Sequence, residues 1–294
     1  MAREAFAAAK INLFLHAGAP VADGYHPLCS LMVFADVGDR LEAQGAETLS
    51  LRLRGPFAGQ LVGGEGDNLV LQAALVLTER LSGSCAPHIL GLDKRLPVAA
   101  GLGGGSSDAG AALRLLRAAW DPDFSDVDLE ALAASLGADG AACLWGVPVL
   151  AQGRGERLSP APGLPSIDAV LVNPGVAVST AEVYRGLDAA MRFGDVTPPL
   201  MPDRFESVEE LAGWLRGTSN DLEPVAVSLA PEIGDVLETL ADEPETLLAR
   251  MSGSGATCFA LCSGDVEAEG LAERIEALRP GWWVKRCRLG GPWD

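Results

Sequence analysis

Between Leu96 and Ala109 the chain reads L-P-V-A-A-G-L-G-G-G-S-S-D-A, placing four glycines (Gly101, Gly103, Gly104, Gly105) within five positions. The next segment, Ala109–Trp120, is rich in alanine and leucine and reads as a helix. Glycine adopts positive φ without penalty and lets a ligand come close to the main chain. A glycine run entering a helix turns several N–H groups toward one point, which also feels the positive end of the helix dipole. An anion belongs there, most naturally a phosphate. A flexible linker is the plain alternative, but linkers rarely open directly into such a helix.

Two familiar phosphate motifs do not fit. A Walker A loop requires G-x-x-x-x-G-K-[ST], and no lysine precedes Ser106. A dinucleotide fingerprint requires G-x-G-x-x-G; counted from Gly101 its last glycine is Ser106, and from Gly103 it is Asp108. Lys94-Arg95-Leu96-Pro97 also interposes a proline turn before the glycines.

A chain of 294 residues accommodates one large domain or two medium ones, and 48% hydrophobic content suffices for a sizeable core. No apolar run reaches the roughly 18 residues of a membrane span. The N-terminal run carries Glu4 and Lys10 and lacks a signal-peptide layout, so a cytoplasmic protein is expected. A net charge of −18 argues against a broad nucleic-acid face, though not against a local pocket for a small anion. The six cysteines show no C-x-x-C pair and read as reduced core residues rather than zinc ligands.

Apolar spacing predicts strands over Lys10–Ala17, Leu28–Ala35, Asp39–Ala43, Leu49–Leu53, Ala86–Leu92, Ala169–Val172, Thr257–Cys262 and Trp282–Arg288, and a hairpin about Gly153-Arg154-Gly155. Helices are predicted over Asp67–Leu81, with Asp67 or Asn68 as cap and Gly83 as stop, and over Ser125–Leu136, Thr180–Leu187, Val208–Leu215, Ala230–Leu240 and Val266–Leu278. Without a regular βαβ rhythm this is an α+β chain in two parts. The proline-rich Ser159–Pro165 marks the boundary, giving residues 1–160 and 161–294.

Three further segments can carry chemistry. Lys10 and Asn12, at i and i+2, share one face of a strand opposite Ile11 and Leu13, unless that face is simply a solvated edge. Asp23-Gly24-Tyr25-His26 presents an aromatic ring beside an imidazole at a turn, a suitable seat for a flat heterocycle if it is not an ordinary turn. Asp139, at a turn into an apolar segment, is either an N-cap or a carboxylate facing a phosphate acceptor. Met251-Ser252-Gly253-Ser254-Gly255-Ala256 is a further glycine cluster that could close a pocket from the second part.

These stretches together resemble the GHMP small-molecule kinases, whose ATP-binding motif Pro97–Ala109 matches. A-K-I-N-L (Ala9–Leu13), D-G-Y-H (Asp23–His26), D-K-R-L-P (Asp93–Pro97), L-G-A-D (Leu136–Asp139), N-P-G-V (Asn173–Val176), S-N-D-L-E (Ser219–Glu223) and M-S-G-S-G-A (Met251–Ala256) resemble the branch acting on 4-diphosphocytidyl-2-C-methyl-D-erythritol. The resemblance implies a two-domain fold, with an N-terminal β/α nucleotide-binding domain, a ferredoxin-like C-terminal domain and an active site in the cleft between them. It implies ATP-dependent, in-line phosphorylation of the substrate's 2-hydroxyl in the non-mevalonate route to isoprenoid precursors, by a monomer or homodimer that binds neither nucleic acid nor membrane.

Lys10 and Asp139 are then the catalytic pair at the acceptor hydroxyl. Asn12 contacts the methylerythritol, Tyr25, His26 and Tyr184 form the cytosine site, and Thr180 is a further substrate-binding residue. Asn68, Lys94, Pro97, Gly101, Leu102, Gly103, Gly104, Gly105, Ser106 and Ser107 serve ATP, with Mg2+ accompanying it. The chain departs from the family's usual pattern at Ala8, commonly proline, and at Gly140-Ala141, commonly Val-Pro; a glycine beside Asp139 predicts a looser turn there. A kinase for a smaller alcohol and a non-catalytic nucleotide-binding regulator are the competing expectations. The first gives the Tyr25/His26/Tyr184 cluster no purpose, and retention of both Lys10 and Asp139 speaks against the second.

Overall fold

The computed structural model describes residues 3–61, 68–81, 85–121 and 123–293. Asp67 and Gly83, assigned above to the ends of one helix, lie outside them. In chain order come β1 (Arg3–Ala17), β2 (Leu28–Gly45), β3 (Ser50–Arg54), α1 (Leu69–Arg80), β4 (His88–Asp93), α2 (Gly104–Trp120), α3 (Asp126–Leu136), α4 (Gly140–Trp145), β5 (Val149–Gly153), β6 (Arg157–Pro160) and β7 (Ile167–Asn173). There follow α5 (Thr180–Ala190), α6 (Val208–Leu215), α7 (Glu223–Leu229), α8 (Glu232–Ala241), β8 (Thr246–Met251), β9 (Cys258–Cys262), α9 (Asp265–Leu278) and β10 (Trp283–Gly290).

The strands form a mixed sheet in the order β3-β4-β2-β10-β7-β9-β8, with β1 and β5 also on β2. Only β3 and β4 run parallel among these described pairs; the rest are antiparallel. The long β2 joins the two parts of the chain, because its Ala35 and Phe34 pair with Leu289 and Gly290 of β10. Where two strands were expected, Leu28–Ala35 and Asp39–Ala43, β2 is continuous: Val37 packs on the core and Gly38 lies against β1 too closely for any side chain. Neither α7 nor β8 was foreseen; Pro224 masks the short α7, and β8 alternates weakly through Arg250.

Both faces of β1 are covered. Ile11 and Leu13 are buried as expected, and so are Lys10 and Asn12 at 3% and 1% exposure, so their face is not a solvated edge. Helix α2 lies behind the glycine turn and starts at Gly104, five residues earlier than expected, so Ser106, Ser107 and Asp108 belong to its first turns. Its small residues allow close approach: a Cβ on Gly110 would stand 2.9 Å from both the carbonyl oxygen of Cys143 and Cα of Leu144 in α4. Gly140, at the start of α4, lies as tightly against the Ala133 carbonyl. The glycine beside Asp139 is therefore fixed by packing, not loosened by its missing side chain.

Buried charge ties α2 to the sheet. Lys94 Nζ donates to Asp39 Oδ2 at 2.5 Å and to Asp108 Oδ2 at 2.7 Å, while Asp39 Oδ1 accepts from the backbone N–H groups of Arg95 (2.5 Å) and Leu96 (2.9 Å). Burial opposes the charged form of Lys94, but Asp108 and Asp39 outweigh it and raise its pKa. Burial pushes the Asp108 carboxyl up to about 7, against the pull of Lys94 and with help from Asp39. Its Oδ1 is buried without a hydrogen-bond partner among the described residues.

Two outcomes follow from this packing. Replacing Gly110 by Val should cost about 1–3 kcal/mol in urea unfolding, since the added carbons force α2 and α4 apart. A carboxyl whose pKa is higher folded than unfolded contributes stability at low pH that is lost as pH rises, here between about 4 and about 7. Asp108→Asn should therefore melt higher relative to the parent protein at pH 8 than at pH 5; equal offsets at both pH values would refute a raised Asp108 pKa.

Candidate active site

A cavity of about 500 Å³ opens where β1, the glycine turn, α4 and the Met251–Ala256 turn meet. Leu102 and Gly103 bring the glycine turn onto β1: the N–H of Lys10 donates to the Leu102 carbonyl at 2.8 Å, and a Cβ on Gly103 would stand 3.1 Å from Cβ and Cε of Lys10. Gly101 and Gly103 hold φ of 75° and 61°, conformations that disfavour a side chain. At Gly101 the Ser252–Gly255 backbone also fills the space that a Cβ would need.

Lys10 Nζ donates to Asn12 Oδ1 at 2.6 Å and stands 3.2 Å from Asp139 Oδ2. Asn12 Nδ2 in turn donates to Ser30 Oγ at 2.7 Å, and Ser30 Oγ to the Phe14 carbonyl at 2.6 Å. This chain of bonds fixes both side chains on the strand. Asp139 precedes α4, yet its side chain makes no capping bond and remains 29% exposed, facing Lys10. The expectation that its carboxylate could serve merely as a cap is thereby removed.

Of the residues expected to serve ATP, Asn68, Lys94, Pro97, Gly101, Leu102, Gly103, Gly104, Gly105 and Ser106 line this cavity. Asn68 also caps α1, accepting from the N–H of Val70 at 2.9 Å. The Lys94 ammonium is held by two carboxylates beneath Gly104, where a Cβ would come within 3.0 Å of it. Ser107 points elsewhere: its buried hydroxyl donates to the Ala8 carbonyl at 2.7 Å and fastens α2 to β1.

Thr180 and Tyr184, on the first turns of α5, line the opposite wall. Burial pushes the Tyr184 phenol up to about 12, with the nearby Asp139 carboxylate adding to the effect. His26 packs against Tyr184 with ring centroids 5.0 Å apart; its Nδ1 lies 2.8 Å from the Gly18 carbonyl and its Nε2 3.3 Å from Asp188 Oδ1. Tyr25 is 57% exposed, with the Arg154 guanidinium over its ring, and neither it nor His26 is among the residues that line the cavity.

Several residues were not singled out from sequence. Ser252 Oγ donates to the Gly101 carbonyl at 3.0 Å, and Ser254 Oγ lies 2.8 Å from Thr180 Oγ1. Asn220 Nδ2 bonds the carbonyls of Met251 and Gly253, both at 2.8 Å. All three fall in segments already noted, but nothing in the pattern said which side chains turn inward. Ser30 and Asp39 carried no signal, because a polar residue on a long strand looks like an exposed one until the opposite face is covered.

Family models described as "GHMP kinases N terminal domain" and "GHMP kinases C terminal" match residues 68–147 and 203–279. A 4-diphosphocytidyl-2-C-methyl-D-erythritol kinase of Caulobacter sp. (strain K31) is 64% identical over 293 residues, 99% of this chain and 100% of that protein. One of Parvibaculum lavamentivorans is 48% identical over 285 residues, covering 97% of each. A crystal structure of 4-(cytidine 5'-diphospho)-2C-methyl-D-erythritol kinase superposes with a TM-score of 0.78 at 35% identity, over 99% of this chain and 100% of that one. A homoserine kinase from Cytophaga hutchinsonii shares the fold, with a TM-score of 0.69 at 18% identity over 98% and 95%. With two-part GHMP architecture, a glycine turn beside a lysine–carboxylate couple, and such identity along nearly its full length, the chain belongs to the 4-diphosphocytidyl-2-C-methyl-D-erythritol kinases, phosphotransferases with an alcohol group as acceptor.

Proposed function

We propose that this protein transfers the γ-phosphoryl group of ATP directly to the 2-hydroxyl of 4-diphosphocytidyl-2-C-methyl-D-erythritol. The observation that carries the reading is the Lys10–Asp139 couple, 3.2 Å apart, with Lys10 in contact with the glycine turn. Phosphoryl transfer asks chiefly for alignment and for charge stabilisation around an in-line displacement. The amides of Gly103–Ser106 at the start of α2 hold the triphosphate. Asp139 orients the acceptor hydroxyl, and Lys10 balances charge on the moving group. Asn12 keeps the lysine aimed and faces the polyol. Tyr25, His26, Tyr184 and Thr180 seat the cytosine end, and Asn68, Lys94 and Pro97 border the nucleotide.

Residues 1–160 supply the phosphate loop and both catalytic side chains, and residues 161–294 close the cavity through Tyr184 and Ser254. No helix among the described residues is long and apolar enough to cross a membrane. Magnesium suits this site as an ion arriving with the nucleotide. Among the described residues no three His, Cys, Asp or Glu side chains gather to hold a metal. Mg2+ commonly keeps its waters and takes one or two carboxylates beside phosphate oxygens, and the Asp139 carboxylate is the oxygen donor placed for that. The ion would neutralise charge on the phosphates.

Asp139→Asn should leave ATP affinity within about threefold while turnover falls at least about tenfold, equivalent to 1.4 kcal/mol in the barrier. The measurement is nucleotide binding together with ADP release, with and without the cytidylated substrate. Unchanged turnover would remove Asp139 from the reaction, and ADP release indifferent to that substrate would remove the substrate assignment.

A further inference from the structure

Arg154 lies in the turn between β5 and β6, a turn that packs on the chain close to both His26 and Asp139. Gly153 and Gly155, at φ 72° and 111°, shape the turn. On one side Gly153 pairs with Leu28, two residues beyond His26. On the other, Gly155 lies so close to Ala138 that a Cβ there would stand 2.6 Å from its carbonyl oxygen, and Ala138 directly precedes Asp139. The N–H of Arg154 donates to Glu156 Oε2 at 2.6 Å. From this fixed base the guanidinium lies 4.1 Å from the centroid of the Tyr25 ring and pairs with the Asp23 carboxylate. The Arg154 and Asp23 side chains remain 50% and 48% exposed.

A substrate whose base rests near Tyr25 and Tyr184, and whose polyol reaches Asp139, must lay its diphosphate across the span between them; the inference rests on that reading of the site. The diphosphate is anionic and would enter a chain of net charge −18, at an end already holding Asp23, Glu156 and Asp188. The two lysines lining the cavity are committed: Lys10 to Asn12 and Asp139, Lys94 to Asp39 and Asp108. Arg154 differs in that its carboxylate partner is exposed, and an exposed ion pair is weak and readily exchanged. A guanidinium fork matches phosphate oxygens in pairs while its flat face stays on an aromatic ring.

We propose that Arg154 is a substrate-binding residue that grips the diphosphate, exchanging Asp23 for phosphate oxygens while remaining stacked on Tyr25. Calorimetric titration of cytidine and of CDP into the full chain and into Arg154→Ala and Tyr25→Ala tests this. Arg154→Ala should weaken CDP at least about tenfold, as expected for charge-assisted bonds, and cytidine by less than about twofold. The KM for the cytidylated substrate should rise in step with the CDP dissociation constant. Unchanged CDP affinity overturns the proposal, and so does an equal loss for both ligands, which would make Arg154 only a prop for the Tyr25 ring. Tyr25→Ala should weaken cytidine and CDP alike. Its failure to do so sinks the base site itself, independently of the arginine.

Discussion

The N–H of Lys10 bonds the carbonyl of Leu102, and most of the site's geometry follows from that junction. It joins β1, which pairs with β2, to the glycine turn. It therefore puts the lysine side chain beside the backbone of the glycine turn. Ser107 repeats the join one turn further into α2, through the Ala8 carbonyl. The strand is thus held at two points, Ala8 and Lys10 itself. A reaction governed by alignment gains from such a rigid frame, because its barrier is sensitive to small displacements.

Behind the junction is a buried set of charges with one ammonium between two carboxylates. Asp39 bonds two successive backbone N–H groups as well as Lys94, which fixes the chain's entry into the glycine turn. Burial is costly for every member, and the unpartnered oxygen of Asp108 shows that the set is not fully satisfied. Burial, with the Asp39 carboxylate beside it, raises the Asp108 pKa against the pull of Lys94. The anchor of the phosphate turn is consequently a titrating one.

The far wall comes from the second half of the chain. Ser252 touches the glycine turn, Ser254 meets Thr180, and Asn220 holds the turn that bears both serines. Tyr184 reaches across from α5 to His26 and the neighbourhood of Asp139. This wall is therefore built from contacts between segments distant in the chain, 74 residues apart for Thr180 and Ser254 and 151 for Gly101 and Ser252, whereas the opposite end is built largely within the glycine turn and the strand behind it.

That difference sets what could be read from the chain. Glycines before an alanine-rich helix announce a phosphate turn because the requirement is local: positive φ, open amides and a helix dipole all arise within about ten residues. Alternation likewise marked β1, and the capping role of Asn68 was visible beside the helix it starts. Other features were settled only by packing. Lys10 and Asn12 are buried because the glycine turn and the Ser252–Gly253 turn lie over their face of β1, and β2 runs unbroken because the core holds Val37 from below. Ser107 turned away from the ligand side, and Gly140 proved a packing necessity instead of a loose joint. By itself the sequence determined that residues 101–105 would form a glycine turn opening into a helix, the local requirement of a phosphate seat. Tertiary structure decided which lysine and which carboxylate would meet it, because side chains from distant segments acquire a common neighbourhood only when the sheet and helices bury the surfaces between them.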